Sequence, residues 1–183
     1  MRRAALALMT GALLLTLAGC GAQEQSLEDL RARLEGAGEV SVSAVVTAAT
    51  DSRYSEYSLE CRADGGGYAL TVLAPEEVAG VTARMDSETG VLEYDGLALS
   101  FETPGEVSPI TALPTLCEAL KTGYETLSWS EGDDTYISLE VTDELSVTVR
   151  LNAQGVPIWA ELTVDGESAA ACDITQFTIS EAT

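Results

Sequence analysis

The chain has 183 residues, with 30 acidic residues against nine basic ones, a net charge of −21 and no histidine. That acidity excludes a surface for nucleic acid or anionic head groups, because no basic stripe exists to neutralise phosphates. The missing histidine excludes Ser-His-Asp and Cys-His catalysis and the usual histidine-based zinc and haem sites. Apolar residues make up 46% of the chain and are strongly patterned, so the charge is not a mark of disorder.

The chain opens on Met1-Arg2-Arg3, followed by an unbroken run of apolar or small residues from Ala4 to Leu17 and then Ala18-Gly19-Cys20. A basic start, an apolar middle and a small-residue pair read as an export leader. About 15 residues separate Arg3 from Gly19, against roughly 18 for a spanning helix, so the segment is too short for a permanent anchor. The cysteine after the small pair resembles the lipobox of bacterial lipoproteins. This resemblance implies that the Cys20 thiol takes a diacylglycerol and that the leader, residues 1–19, is cut away. Two or more acyl chains then attach the protein stably to the extracytoplasmic face of the cell membrane. Arg2 and Arg3 leave with the leader, so seven basic residues remain against 30 acidic ones. Residues 20–25 are expected as a lipidated tether of at most roughly 17 Å from Gly21 to Gln25, which holds the domain close to the bilayer. Residues 26–183 are long enough for a single domain with a sizeable core.

Ser26 is expected as a helix N-cap, with Leu27, Leu30 and Leu34 on one helical face and Gly36 as the stop. The period then changes to two. Val40, Val42, Ala44 and Val46 alternate with smaller or polar residues, as do Tyr57, Leu59, Cys61 and Ala63. A turn at Asp64-Gly65-Gly66-Gly67 leads into a returning strand over 68–73, which Pro75-Glu76-Glu77 breaks. Val81, Ala83 and Met85 form the next inward row. Asp95-Gly96, between the apolar runs 91–94 and 97–101, is a strong hairpin signal.

Ser108-Pro109 then marks a second helix start. Ile110, Leu113, Leu116, Cys117 and Leu120 lie at helical spacing up to Gly123, and Pro114 in the first turn or so leaves open one helix or two short turns, with an apolar stripe at 109–121 either way. Strands resume from Tyr124, turn at 131–134, 152–155 and Asp165-Gly166, and end on a strand through Cys172, Ile174 and Phe177. The expected product is mainly β with two short helical segments, an α+β chain with ten or eleven antiparallel strands. A sheet of that size curls.

The order of one helix, six strands, a second helix and a further strand meander resembles the LolA/LppX-like lipoprotein fold. The resemblance implies an unclosed barrel with helices over its concave face. Val72-Leu73-Ala74-Pro75-Glu76-Glu77-Val78-Ala79-Gly80-Val81-Thr82-Ala83, with Leu92-Glu93-Tyr94-Asp95-Gly96-Leu97 and Ser108-Pro109, is similar to the version found in lipoproteins of spore-forming bacteria, one branch of which is linked to germination. Members of the wider fold bind acylated or lipidic ligands in the concavity, so the resemblance implies the same for this chain.

The residues offer little for catalysis, and no enzyme, cofactor or metal is expected. Glu76-Glu77 and Asp133-Asp134 sit in turns, where neighbouring carboxylates are solvated. Gly65-Gly66-Gly67 lacks the lysine and following helix of a phosphate loop. Trp129 and Trp159 fall on the strand face opposite the aliphatic row, with packing under the helices favoured over an exposed patch for a partner. Cys61 and Cys172 both point inward, which leaves two outcomes open: a Cys61–Cys172 bridge with Cys117 free, or three unpaired buried thiols. Two functions follow. The first is a membrane-anchored carrier or sensor holding an acyl or lipid ligand in a cavity lined by Leu59, Leu70, Val72, Leu92, Leu97 and Leu99, with Ile110, Leu113 and Leu116 as lid. The second is an envelope interaction protein with a filled interior and a protein partner.

Overall fold

The structure, a computed structural model, describes residues 21–50, 53–86, 88–103 and 107–181. The leader and Cys20 lie outside the described residues. Helix α1 spans Gly21–Glu35 and is followed by β1 (Ala37–Thr50), β2 (Arg53–Asp64), β3 (Gly67–Ala74), β4 (Thr82–Met85), β5 (Thr89–Tyr94) and β6 (Leu97–Glu102). Helix α2 (Pro109–Thr122) leads to β7 (Tyr124–Glu131), β8 (Asp134–Glu140), β9 (Leu145–Leu151), β10 (Pro157–Val164) and β11 (Glu167–Glu181). All the strands lie in one antiparallel sheet of eleven, in the order β6-β5-β4-β3-β2-β1-β11-β10-β9-β8-β7. Among the described residues the fold is the expected one, mainly β with two helices and a sheet that does not close into a barrel.

Pairing of β1 with β11 joins the two meanders into one sheet and leaves β6 and β7 as its edges. The chain between Glu102 and Tyr124 must therefore travel from one edge to the other. Laid flat, ten inter-strand steps span about 48 Å. The six residues before α2 reach at most about 20 Å, and its 14 residues rise about 21 Å. Even fully extended, the connection barely matches the flat width, and α2 packs on β1, β2, β8, β10 and β11 together, which a curled sheet brings under one helix laid across its inner face.

Turn chemistry fixes the hairpins. Asp95 and Gly96 have φ of 48° and 78°, and Asp165 and Gly166 have 52° and 80°, the paired positive values of the turn that matches strand twist. Inner-face residues of β1, β2 and β3 alternate as expected, and Val40, Val42, Leu59, Cys61 and Leu70 are buried.

Three local expectations are changed or resolved. Helix α1 starts by Gly21, so Ser26 lies within the helix and not at its cap, and Gly21–Gln25 are helical backbone. The expected stripe holds, with Leu27, Leu30 and Leu34 buried. Pro114 does not split α2, which is continuous over Pro109–Thr122. Pro114 forgoes one backbone bond, while Ala112, Leu113, Pro114, Leu116 and Cys117 are all buried, and that packing holds the helix together.

The third change concerns the thiols. Cys61, Cys117 and Cys172 are all free and buried. Cys61 stands opposite Val42 on one side of β1, and Cys172 stands opposite Val46 on the other. Two strand steps and four residues along the strand place them about 16 Å apart, whereas a disulfide needs Cα atoms within about 7 Å. A Cys61–Cys172 bridge is excluded. Burial pushes the Cys117 and Cys172 thiols up to about 12 and raises the Cys61 thiol still further.

Candidate functional site

The helix layer is fastened at two points. Arg31 on α1 donates from Nε to the carbonyl of Leu120 at 3.0 Å and from Nη2 to the carbonyl of Gly123. These are carbonyls at the C-terminal end of α2, where a helix leaves acceptors unpaired and favours a cation. Tyr68 on β3 donates its hydroxyl to Glu118 of α2 at 3.0 Å, and Lys121 Nζ lies 5.8 Å from the Tyr68 ring centroid. Burial, and then the Glu118 charge, raises the Tyr68 phenol above its ordinary value. At the other end of α2, the backbone N–H of the N-cap residue Ser108 donates to Thr111 Oγ1 at 2.9 Å.

The residues expected to line a cavity separate into two groups. Leu59, Leu70 and Val72 belong to the same buried cluster as Leu113 and Leu116 of α2, and the two helix residues are 0% exposed. This is packed core, so α2 is a filling layer and not a lid over a slot. Leu92 and Ile110 are half-buried at its margin. Leu97 and Leu99 are instead 76% and 65% exposed, and the structure does not bring them to the others.

The register explains the division. Val42, Cys61, Leu70, Ala83, Leu92 and Leu99 stand in one inward row across β1 to β6. Exposure rises along that row toward the edge, because α2 packs chiefly on β1, β2, β8, β10 and β11. On β5 and β6 the inner face carries Leu92, Tyr94, Leu97, Leu99 and Phe101, and Tyr94 is 42% exposed. Phe101 stands opposite Gly90, where an added Cβ would collide with its ring. The absent side chain lets the ring lie flat on the strand. Tyr94 and Leu97 also border an open cleft of about 360 Å³ at the Asp95-Gly96 turn, which is lined too by Thr82, Glu93 and Ala98 of the outer face and so is not part of the strip. The candidate site is this uncovered apolar strip. The sequence placed its residues on the correct face, but the reach of α2, which decides what is covered, carries no local signal.

Glu76, Glu77 and Asp133 are exposed as their turns suggested, whereas Asp134 is half-buried and lies 3.9 Å from Arg150 Nε. Trp129 and Trp159 do not pack under the helices. They lie on the outer face, partly exposed, in register with Tyr136 and Arg150.

A curled, unclosed antiparallel sheet with two helices over one face is the architecture that the resemblance to LolA-like lipoproteins implied. No protein-family model matches the chain, and no curated protein matches it in sequence. Solved structures do match. An uncharacterized conserved protein from Thermus thermophilus superposes with a TM-score of 0.50 at 10% identity, over 87% of this chain and 89% of that one. A domain assigned to outer membrane lipoprotein sorting in Vibrio parahaemolyticus gives 0.50 at 9%, over 85% and 91%. A LolA superfamily protein from Nitrosomonas europaea gives 0.45 at 12%, over 88% and 94%. At such identities the likeness is one of fold.

Proposed function

We propose that the chain is a lipid-anchored extracytoplasmic binding protein, not an enzyme, which takes an acyl chain on the uncovered inner strip of β5 and β6. The observation that carries this reading is the exposure of Tyr94, Leu97 and Leu99 on the face that elsewhere forms the core. A strip of aliphatic and aromatic side chains suits a ligand with apolar surface and few polar groups. Lipidation at Cys20 would supply a membrane within reach, and the acidic exterior would keep the domain from sinking into anionic lipid. The test is titration of the detergent-free mature domain with a fluorescent fatty acid, alongside Leu97→Glu and Leu99→Glu. Saturable binding that either substitution weakens at least tenfold supports the reading. Absence of saturable binding, or binding that both variants keep, overturns it.

A second reading, an envelope interaction protein without a ligand cavity, draws support from the filled space beneath α2 and from β6, an edge strand with apolar inner residues. Such an edge can receive a partner's extended segment by strand addition. Binding of an extended apolar peptide in place of fatty acid would favour it.

A further inference from the structure

The chain has two tryptophans, and both stand in one cross-strand row of the outer face. Trp129 is opposite Tyr136, Tyr136 opposite Arg150, and Arg150 opposite Trp159, across β7, β8, β9 and β10. Three strand steps make the row about 14 Å long. The Trp129 and Tyr136 rings are stacked, with centroids 5.1 Å apart and planes 10° apart. Trp129 Nε1 donates to Glu131 Oε1 at 3.3 Å, which fixes the ring. Arg150 Nε has no hydrogen-bond partner and lies 3.9 Å from Asp134 Oδ2. All four residues of the row are partly exposed.

The flanks are polar except at the β7 end, where Leu127, 58% exposed, stands opposite Ser138 beside Trp129. On one side Ser138 and Thr148 share a hydrogen bond of 3.1 Å, and Glu161 stands opposite Thr148. On the other side are Glu131 and Asp134, and Asp173 follows Trp159 along the row. Apart from Leu127 at its β7 end, the apolar surface is therefore one side chain wide. That is too narrow for a protein interface, which buries about 800 Å² on each partner around an apolar centre. Four carboxylates around one guanidinium repel a phosphate or an anionic polymer. A ligand that fits needs a flat C–H face to lie on the rings and hydroxyls at its rim. The carboxylates and hydroxyls beside the row accept hydrogen bonds from such hydroxyls, and the guanidinium donates to its oxygens. Saccharides have this make-up.

We propose that Trp129, Tyr136, Arg150 and Trp159 form a platform for an uncharged saccharide chain lying across β7 to β10. Tryptophan emission reports on this row alone, because the chain's two tryptophans are both in it. The detergent-free mature domain is titrated with the tetramer of N-acetylglucosamine and, separately, with cellotetraose. A saturable change in emission is expected with at least one probe. Trp159→Ala and Arg150→Gln should each weaken the apparent affinity tenfold or more, while Trp159→Phe, which keeps an aromatic face, retains most of it. Far-ultraviolet circular dichroism checks that the variants are folded. No saturable change with either probe overturns the proposal and leaves the row to plain surface packing. Undiminished affinity in Trp159→Ala and Arg150→Gln overturns it too, as does equal loss in Trp159→Ala and Trp159→Phe.

Discussion

Truncation of Leu116 to alanine tests whether α2 fills the inner face or spans a slot. Leu116 is 0% exposed and meets the inner rows of the sheet. Removing three buried carbons therefore forfeits their whole transfer free energy, about 2.4 kcal/mol at the usual value per methylene. A residual cavity of roughly 50 Å³ adds about 1 kcal/mol. The expected loss is about 3–4 kcal/mol, a large fraction of the 5–15 kcal/mol typical of a domain. Urea unfolding of the leaderless domain, followed by circular dichroism, measures it as a shift in midpoint at constant slope. Leu97→Ala is the control: its side chain stands 76% exposed, so its loss stays within about 0.5 kcal/mol. A Leu116→Ala cost below about 1 kcal/mol would refute close packing under α2 and reopen an internal cavity for the ligand.

Three further outcomes follow from the same geometry. Arg31→Ala removes the donor that joins α1 to the carbonyls of Leu120 and Gly123 and should cost about 1.5–3 kcal/mol in urea unfolding, with Arg31→Lys recovering only part of it. The raised thiols give stability a definite sign with pH: the unfolded chain gives up thiol protons above about 8.5, while the native Cys117 and Cys172 hold theirs up to about 12. Stability present at neutral pH is therefore lost as pH rises through that window, and Tyr68 acts in the same direction. Urea midpoints measured from pH 8 to 11 should fall, and the folded protein should resist thiol alkylation until it is unfolded. Cys20→Ser should release the protein from membranes in cell fractionation, whereas the wild type incorporates labelled fatty acid.

What the sequence disclosed was local. Alternation along each strand, the two Asp-Gly turns and the leucine spacing of both helices depend on neighbours a few residues apart, and each appears in the structure. Other expectations failed or stayed open because they depended on distant partners. The shared inward direction of Cys61 and Cys172 suggested a bridge, but the place of β1 between β2 and β11 keeps them apart. Pro114 left a break open, but burial against the sheet outweighs one missing backbone bond. Leu97 and Leu99 face inward as their parity requires, yet parity does not say where a covering helix ends.

That limit on coverage follows from lengths. Two helices packed side by side shield a patch about 20 Å wide, and α2 is about 21 Å long. Along the strand-crossing direction the sheet measures about 48 Å before curling. Some inner-face strands must stay uncovered, and the fastenings decide which. Arg31 holds the C-terminal end of α2 against α1, while Tyr68 and Glu118 hold the helix over β3. The far arm, β5 and β6, extends past both fastenings. An apolar residue kept on that arm gains nothing from the core, since Leu97 is already three-quarters exposed. Its aliphatic side chain is better explained by something that covers it from outside. The acyl-chain and strand-addition readings both put their ligand there, and Leu97→Glu separates the two. The substitution should abolish fatty-acid binding, while a partner strand that bonds chiefly to the β6 backbone should tolerate it.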